Sequence, residues 1–252
     1  MLQKIALTVA LIAVSSFATW DYFPVLDAGK GTAKANMYYD WDGDWSQMGI
    51  GISARYTVAP NVELALMDLG YQFWNEEDCK GCADGGDGLR DLTFGLRYQI
   101  VPIFNVFLDA NLPIGSDEVT NNEFSLYFGG QFSQKISPIF VLGTEGGFLW
   151  GFEHDKYERG LVLEIGAEGD FPIPSTGFTP FVGLKLLYQL TESSSDGHDV
   201  GGDGDNDIQV SLGAKYDIDT QMAVDGKLIL RSGDDSLGGN ATGIAFDFYF
   251  NF

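Results

Sequence analysis

The stretch Ser46-Gln47-Met48-Gly49-Ile50-Gly51-Ile52-Ser53-Ala54-Arg55-Tyr56-Thr57-Val58 decides the fold. Met48, Ile50, Ile52, Ala54, Tyr56 and Val58 share one parity, and most of the other parity is small or polar. Successive side chains of a β-strand point to opposite faces, so a period of two held this long is a strand whose faces meet different surroundings. A tilted strand of about ten residues spans the hydrocarbon layer of a bilayer, its apolar parity toward lipid and its polar parity toward a lumen.

The same alternation recurs along the chain. Leu92, Phe94, Leu96, Tyr98 and Ile100 oppose Thr93, Gly95, Arg97 and Gln99, and Phe124, Leu126, Phe128 and Phe132 oppose Ser125, Tyr127, Gly129 and Gln131. Three further runs follow, at 161–168, 182–189 and 210–216, and a last one reads Ile244, Phe246, Phe248, Phe250, Phe252. Weaker segments at 32–39, 62–74, 106–112, 140–152 and 224–231 bring the count to about twelve, with ten or fourteen if a hairpin is split or merged. In 62–74 the apolar parity switches near Asp68, from Val62, Leu64, Leu66 to Leu69, Tyr71, Phe73, which predicts a bulge.

The connections alternate in character. One set is short and holds proline, at 59–61, 101–103 and 137–139, with a longer member at 172–180. The other set is longer and acidic, at 40–44, 75–91, 114–122, 153–160, 192–207 and 232–240. Short periplasmic turns and long outer loops are the asymmetry of transmembrane barrels, so this parity predicts an all-β, antiparallel, up-and-down transmembrane β-barrel with both termini in the periplasm. Pro60, Pro102, Pro138 and Pro180 fall 42, 36 and 42 residues apart, as an imperfect repeat of one hairpin would.

Residues 1–18 read as a cleavable signal peptide, with Lys4, an apolar run from Ile5 to Phe17 and the small-x-small site Ser16-Phe17-Ala18. That run is too short to cross a bilayer as a helix, and no later stretch reaches eighteen consecutive apolar residues. Any membrane span must then be β, because a closed barrel is the other way to satisfy every backbone group in lipid. Residues 19–30 form either a periplasmic N-terminal segment or a lumen plug carrying Trp20, Tyr22 and Phe23, and residues 31–252 form the barrel. The formal net charge is −22, and removal of 1–18 takes away only Lys4, so nucleic acid is excluded as a partner class.

At Phe246, Phe248, Phe250 and Phe252 the chain resembles the C-terminal signature of bacterial outer-membrane β-barrel proteins, a porin-like class. The resemblance extends to the whole pattern of export signal, strand alternation and loop asymmetry, and names no one family. It implies an outer-membrane location in a Gram-negative-type envelope, with surrounding lipid and lipopolysaccharide and the barrel assembly machinery, which reads that last strand, as partners. Twelve-stranded members of the class include specific channels, a phospholipase and autotransporter translocators, so the fold alone does not choose a function.

The polar parity holds the candidate functional residues. It places Lys34, Arg55, Glu63, Arg97 and Asp109 on the lumen side, together with Glu145, Glu164, Glu168 and Lys185. Lys215, Asp217, Asp225, Lys227 and Asp247 complete the set, with Asp170 and Arg231 on the same parity. Charges inside a barrel must be solvated or paired, so the interior is a wet channel or a salt-bridged core. Twelve strands about 4.8 Å apart and tilted about 40° enclose a backbone diameter of roughly 24 Å, leaving about 10 Å between side chains. Inner glycines such as Gly49, Gly95, Gly129, Gly147, Gly183 and Gly213 predict open space or the close approach of a plug. Aromatics at outer strand ends, Tyr38, Tyr39, Trp41, Trp45, Phe73, Trp74, Trp150 and Phe152, predict an interfacial girdle.

The leading function is a narrow channel for passive diffusion of small polar solutes, its acid-rich lumen favouring cations slightly. The alternative is a closed structural or surface-interaction barrel with a salt-bridged lumen and acidic extracellular loops. Enzyme chemistry is not expected: His154 and His198 both fall in outer loops, and no serine stands in a Gly-x-Ser-x-Gly context. An outer-membrane hydrolase whose site is assembled from distant strands stays outside what spacing can exclude. Cys79 and Cys82 predict a local disulfide, as expected in an oxidising compartment. No cofactor is expected beyond weak calcium at Asp203, Asp205 and Asp207, whose oxygens suit a hard cation.

Overall fold

Period-two sequence becomes a ladder only when each strand finds two neighbours, and here every long strand does. A computed structural model describes residues 24–43, 45–76, 85–120, 122–154, 156–234, 237 and 239–252. The long strands are β1 (Gly31–Asp42), β2 (Trp45–Ala59), β3 (Val62–Glu76), β5 (Leu92–Val101), β6 (Phe104–Leu112), β7 (Ser125–Ser137) and β8 (Phe140–Gly151), followed by β10 (Val162–Asp170), β11 (Phe178–Gln189), β14 (Asn206–Asp217), β15 (Met222–Gly233) and β16 (Ala241–Asn251). Each pairs antiparallel with its sequence neighbour among these twelve, and β1 pairs with β16, so the sheet closes on itself with no free edge.

The seam is held by backbone at its end: the Gly31 amide donates to the Phe252 carbonyl at 3.0 Å, and the Phe252 amide to Gly31 at 2.9 Å. Apolar residues of the alternating parity point outward. Ile50, Ile52, Leu96, Leu184, Leu212, Phe246 and Phe248 are all exposed on that face, whereas Glu63, Arg97, Asp109, Asp225 and Asp247 are buried on the other. A soluble protein would have the reverse arrangement. The outward row is the lipid-facing surface of an outer-membrane barrel.

The bulge lies where the parity switch placed it. The β2–β3 register shifts between Ile52 and Ala54, and the β3–β5 register between Leu66 and Asp68. One extra residue lets the strand change which parity faces lipid without breaking the ring. At the β2–β3 turn, Asn61 takes φ 67, a left-handed conformation that asparagine tolerates, directly after Pro60 with its preset φ.

Two boundaries differ from the sequence reading. The connection at 172–180 is shorter than expected, because Pro180 sits inside β11 opposite Ala214 and its carbonyl accepts from the Phe171 amide at 2.8 Å. The long loops also carry short strands: β4 (Gly85–Leu89), β9 (Tyr157–Glu158), β12 (Ser193–Ser195) and β13 (His198–Gly201). β4 extends the barrel sheet beyond β3, and β13-β12-β9 is a separate three-stranded sheet. Their glycine- and serine-rich sequences show no alternation, since no face of them is buried in lipid. The signal segment 1–18, residues 19–23 and the pair Cys79 and Cys82 lie outside the described residues.

Candidate functional site: the inner face of the barrel

Ring closure brings twelve rows of inward side chains around one lumen, and glycine decides how they lie. A Cβ at Gly147 would stand 2.7 Å from the Tyr127 ring and 3.1 Å from the Phe107 ring. The Tyr38 ring covers Gly49 in the same way, the Arg97 guanidinium covers Gly95 and the Phe181 ring covers Gly213. These inner glycines are therefore seats on which long neighbours fold flat against the wall. That corrects the expectation of empty space or a close-packed plug at these positions: the missing Cβ is filled by the wall's own side chains.

The charged residues are brought together mainly in cross-strand pairs. Arg97 and Asp109 form a forked pair, with Nη2 donating to Oδ2 at 2.9 Å, and the Arg97 guanidinium stacks 5.2 Å over Phe107. Both members are buried, at 1% and 5% exposure. Lys185 meets Glu164 at 2.6 Å, and Lys215 meets Asp217 at 3.2 Å. Arg55 stands 4.0 Å from Glu63, whose other oxygen accepts from the Thr57 hydroxyl at 3.3 Å. Asp247 lies between Lys227 at 3.6 Å and Lys34 at 3.9 Å. Opposite it in the ladder stands Asp225, and the Tyr249 hydroxyl donates to Asp225 at 2.6 Å. Two carboxylates facing each other across a ladder repel, and two lysines with a shared hydroxyl offset that.

Glu145 is held by neutral donors, the Tyr127 hydroxyl at 2.7 Å and the Gln131 amide. Glu168 is buried between Gly143 and Gly183 in the ladder. Nearer the mouth that carries the long loops, Arg231 reaches Asp207 at 3.8 Å, and Arg90 pairs with Asp68 and stacks over Tyr38. Tyr38 is thus an inner residue, its hydroxyl donating to Gln72 at 2.9 Å, and does not belong to the girdle.

Inner residues of apolar or aromatic type escaped the sequence reading. Phe107, Leu149, Leu187 and Ile229 sit on the inward parity between polar or glycine neighbours, and strict counting along their strands would have found them. Arg90, Glu123 and Arg159 come from loops, where alternation gives no signal.

Two loop clusters frame the mouth opposite the chain termini. The Trp74 indole donates to the Glu118 carbonyl at 2.8 Å and the Leu89 amide to the Ser116 hydroxyl at 3.1 Å, fastening the β3–β5 loop to the β6–β7 loop. Trp74 therefore serves a latch and not the girdle. On the other side, the Gly160 amide and the Gln189 side chain donate to the Ser193 hydroxyl, at 3.2 and 3.0 Å. Arg159 meets Glu123 at 3.5 Å between the clusters. Burial pushes the Glu123 carboxyl above its ordinary range, and Arg159 and His154 draw it back. Glu192, exposed in its loop, is also raised, by repulsion from Asp199 and then Asp203.

The calcium expectation finds no support in the arrangement. Among the described residues no three His, Cys, Asp or Glu side chains are gathered as a metal would need. Asp207 is buried in β14 beside Arg231, whereas Asp203 is exposed in a loop. His154 and His198 are exposed on separate loops. At the opposite mouth the Pro24 carbonyl accepts from Arg55 at 3.2 Å and the Leu26 amide donates to Glu63 at 3.3 Å, so residues 24–26 lie against the inner wall, with Val25 buried.

A family model described as "Putative MetA-pathway of phenol degradation" matches residues 15–246. No curated protein matches the chain in sequence. Among solved structures the chain is similar to the COG4313 outer membrane channel of Pseudomonas putida F1, at 12% identity and a TM-score of 0.73, covering 91% of this chain and 98% of that one. It is also similar to the translocator domain of the autotransporter NalP of Neisseria meningitidis, at 14% identity and 0.57, covering 99% and 96%. The NanC porin follows at 9% and 0.54, covering 86% and 98%. At these identities the likeness is one of fold, the outer-membrane β-barrel.

Proposed function

We propose that this chain, which belongs to that phenol-degradation family, is a narrow outer-membrane channel for passive diffusion of small polar solutes. The observation that carries the reading is the inner face of the closed ring itself: long side chains lie flat on glycine seats, and charges are paired along the wall. The similarity to a solved outer membrane channel supports it. So does the compound in the family's description, since a phenol is small and carries one hydroxyl. Carboxylates outnumber cations on this face, which favours cations slightly. Residues 1–18 act as the export signal in this reading, both termini lie in the periplasm, and residues 24–26 narrow the inner mouth without filling the lumen.

Ion pairing of most lumen cations favours a second reading, a closed barrel whose acidic loops meet partners outside. One measurement separates the two. Purified protein refolded into a planar bilayer in potassium chloride should give discrete current steps with weak cation preference. A bilayer that stays silent at protein levels shown to insert would overturn the channel and leave the closed barrel.

A further inference from the structure

Three neighbouring strands, β11, β14 and β15, carry cations whose carboxylate partners lie behind them. Lys185, Gln209 and Arg231 are direct ladder partners across these strands, and Lys227 precedes Arg231 on the same face of β15. The side chains of Lys185, Arg231 and Lys227 are 40%, 27% and 30% exposed, against 15%, 2% and 4% for their partners Glu164, Asp207 and Asp247. Lys185 and Lys227 stand mid-strand on the inner face of a closed ring, so the surface they expose faces the lumen. On the opposite wall Arg97 and Asp109 are both buried. Carboxylates are in the majority over the inner face as a whole, but a solute touching this wall meets ammonium and guanidinium.

Two of these pairs are loose. Lys227 and Arg231 stand 3.6 and 3.8 Å from their carboxylates, beyond hydrogen-bonding distance, and Arg231 approaches through Nε. Asp207 therefore does not engage the guanidinium fork, whose geometry suits two carboxylate oxygens at once. Leu187 follows Lys185 along the inner face of β11, and Ile229 stands between Lys227 and Arg231 on β15, both half-buried. We infer that Lys185, Gln209 and Arg231, with Leu187 and Ile229 beside them, form a docking band for small organic carboxylates in transit. The anionic end takes charge-assisted hydrogen bonds from lysine and arginine, and the hydrocarbon body lies against the two aliphatic side chains. A neutral solute of the same size gains only the second contact, and an inorganic anion only the first.

This inference rests on the channel reading, and the experiment keeps the two apart. The full-length barrel in a planar bilayer carries current in dilute potassium chloride while butyrate, acetate or butyramide is added. Docked butyrate obstructs the narrow lumen, so the current should fall saturably, with half-block on the order of 10 mM. Acetate, with less apolar body, should need about fivefold more, and butyramide should leave the current unchanged. Lys185→Gln/Arg231→Gln should raise the half-blocking concentration of butyrate about tenfold, and Lys185→Gln alone, should the double variant fail to insert, about threefold. Lys34→Gln removes a charge of the same sign from a side chain only 12% exposed and should raise it less than about twofold. Absence of block by butyrate, or a block that the double variant or Lys185→Gln leaves unchanged, overturns the band while the channel stands. So does a block by butyramide as deep as that by butyrate, or an effect of Lys34→Gln equal to that of the variant it is compared with, which would trace the block to net lumen charge. Acetate as effective as butyrate overturns the part given to Leu187 and Ile229. A wild-type barrel that conducts nothing overturns the channel and the band together.

Discussion

At the scale of single residues, the inner wall depends on pairs that cannot lose one member. Arg97 and Asp109 are both out of solvent, so Asp109→Ala leaves a buried guanidinium without its carboxylate and should cost about 3–5 kcal/mol of unfolding free energy in lipid vesicles. The double variant Arg97→Met/Asp109→Leu should cost much less, and equal losses for the two would refute the pairing argument. Gly147→Val tests the seats: its Cβ would crowd the Tyr127 ring and stand 2.8 Å from the Phe128 carbonyl, for a loss of about 1–3 kcal/mol. Most charged partners on this wall were legible beforehand, because parity alone assigns Lys34, Glu164 or Asp247 to the lumen. Who pairs with whom was not, since the choice depends on register, as Asp247 between Lys34 and Lys227 shows.

At the scale of elements, the strands were readable and the loops were not. Lipid on one side and water on the other impose alternation on β2, β5 and β16, and the same contrast exposed the bulge in β3. Loops beyond the bilayer meet water on most sides, so nothing in 192–207 announced the hairpin of β12 and β13. The charge on that hairpin has a direct consequence. Repulsion from Asp199 and Asp203 raises the Glu192 carboxyl, so the folded loop prefers the protonated acid, and ionisation weakens it. The loop should be tightest below the ordinary glutamate value of 4.5 and loosen as pH rises through the raised value. Amide exchange in residues 190–205 should therefore quicken between acid and neutral pH, and Glu192→Gln should remove part of the change. Exchange that slows with rising pH, after correction for its intrinsic rate, would contradict this.

At the scale of the whole molecule, lipid and lumen place opposite demands on neighbouring positions. Leu184 faces outward at 54% exposure, and Lys185 beside it faces inward to Glu164. Leu184→Arg should destabilise the inserted barrel by about 2–4 kcal/mol if it lies near the midplane. Lys185→Gln should leave insertion intact and shift ion preference toward cations, read from the reversal potential in a salt gradient. A soluble, detergent-free form of the protein would be incompatible with both. The backbone bonds between Gly31 and Phe252 carry one more consequence. A cylinder sewn along a single line between its earliest and latest staves cannot be finished piecemeal. Until that stitch is made, two raw borders stay open to any passing strand, so the hazard of mispairing is concentrated in the interval before closure.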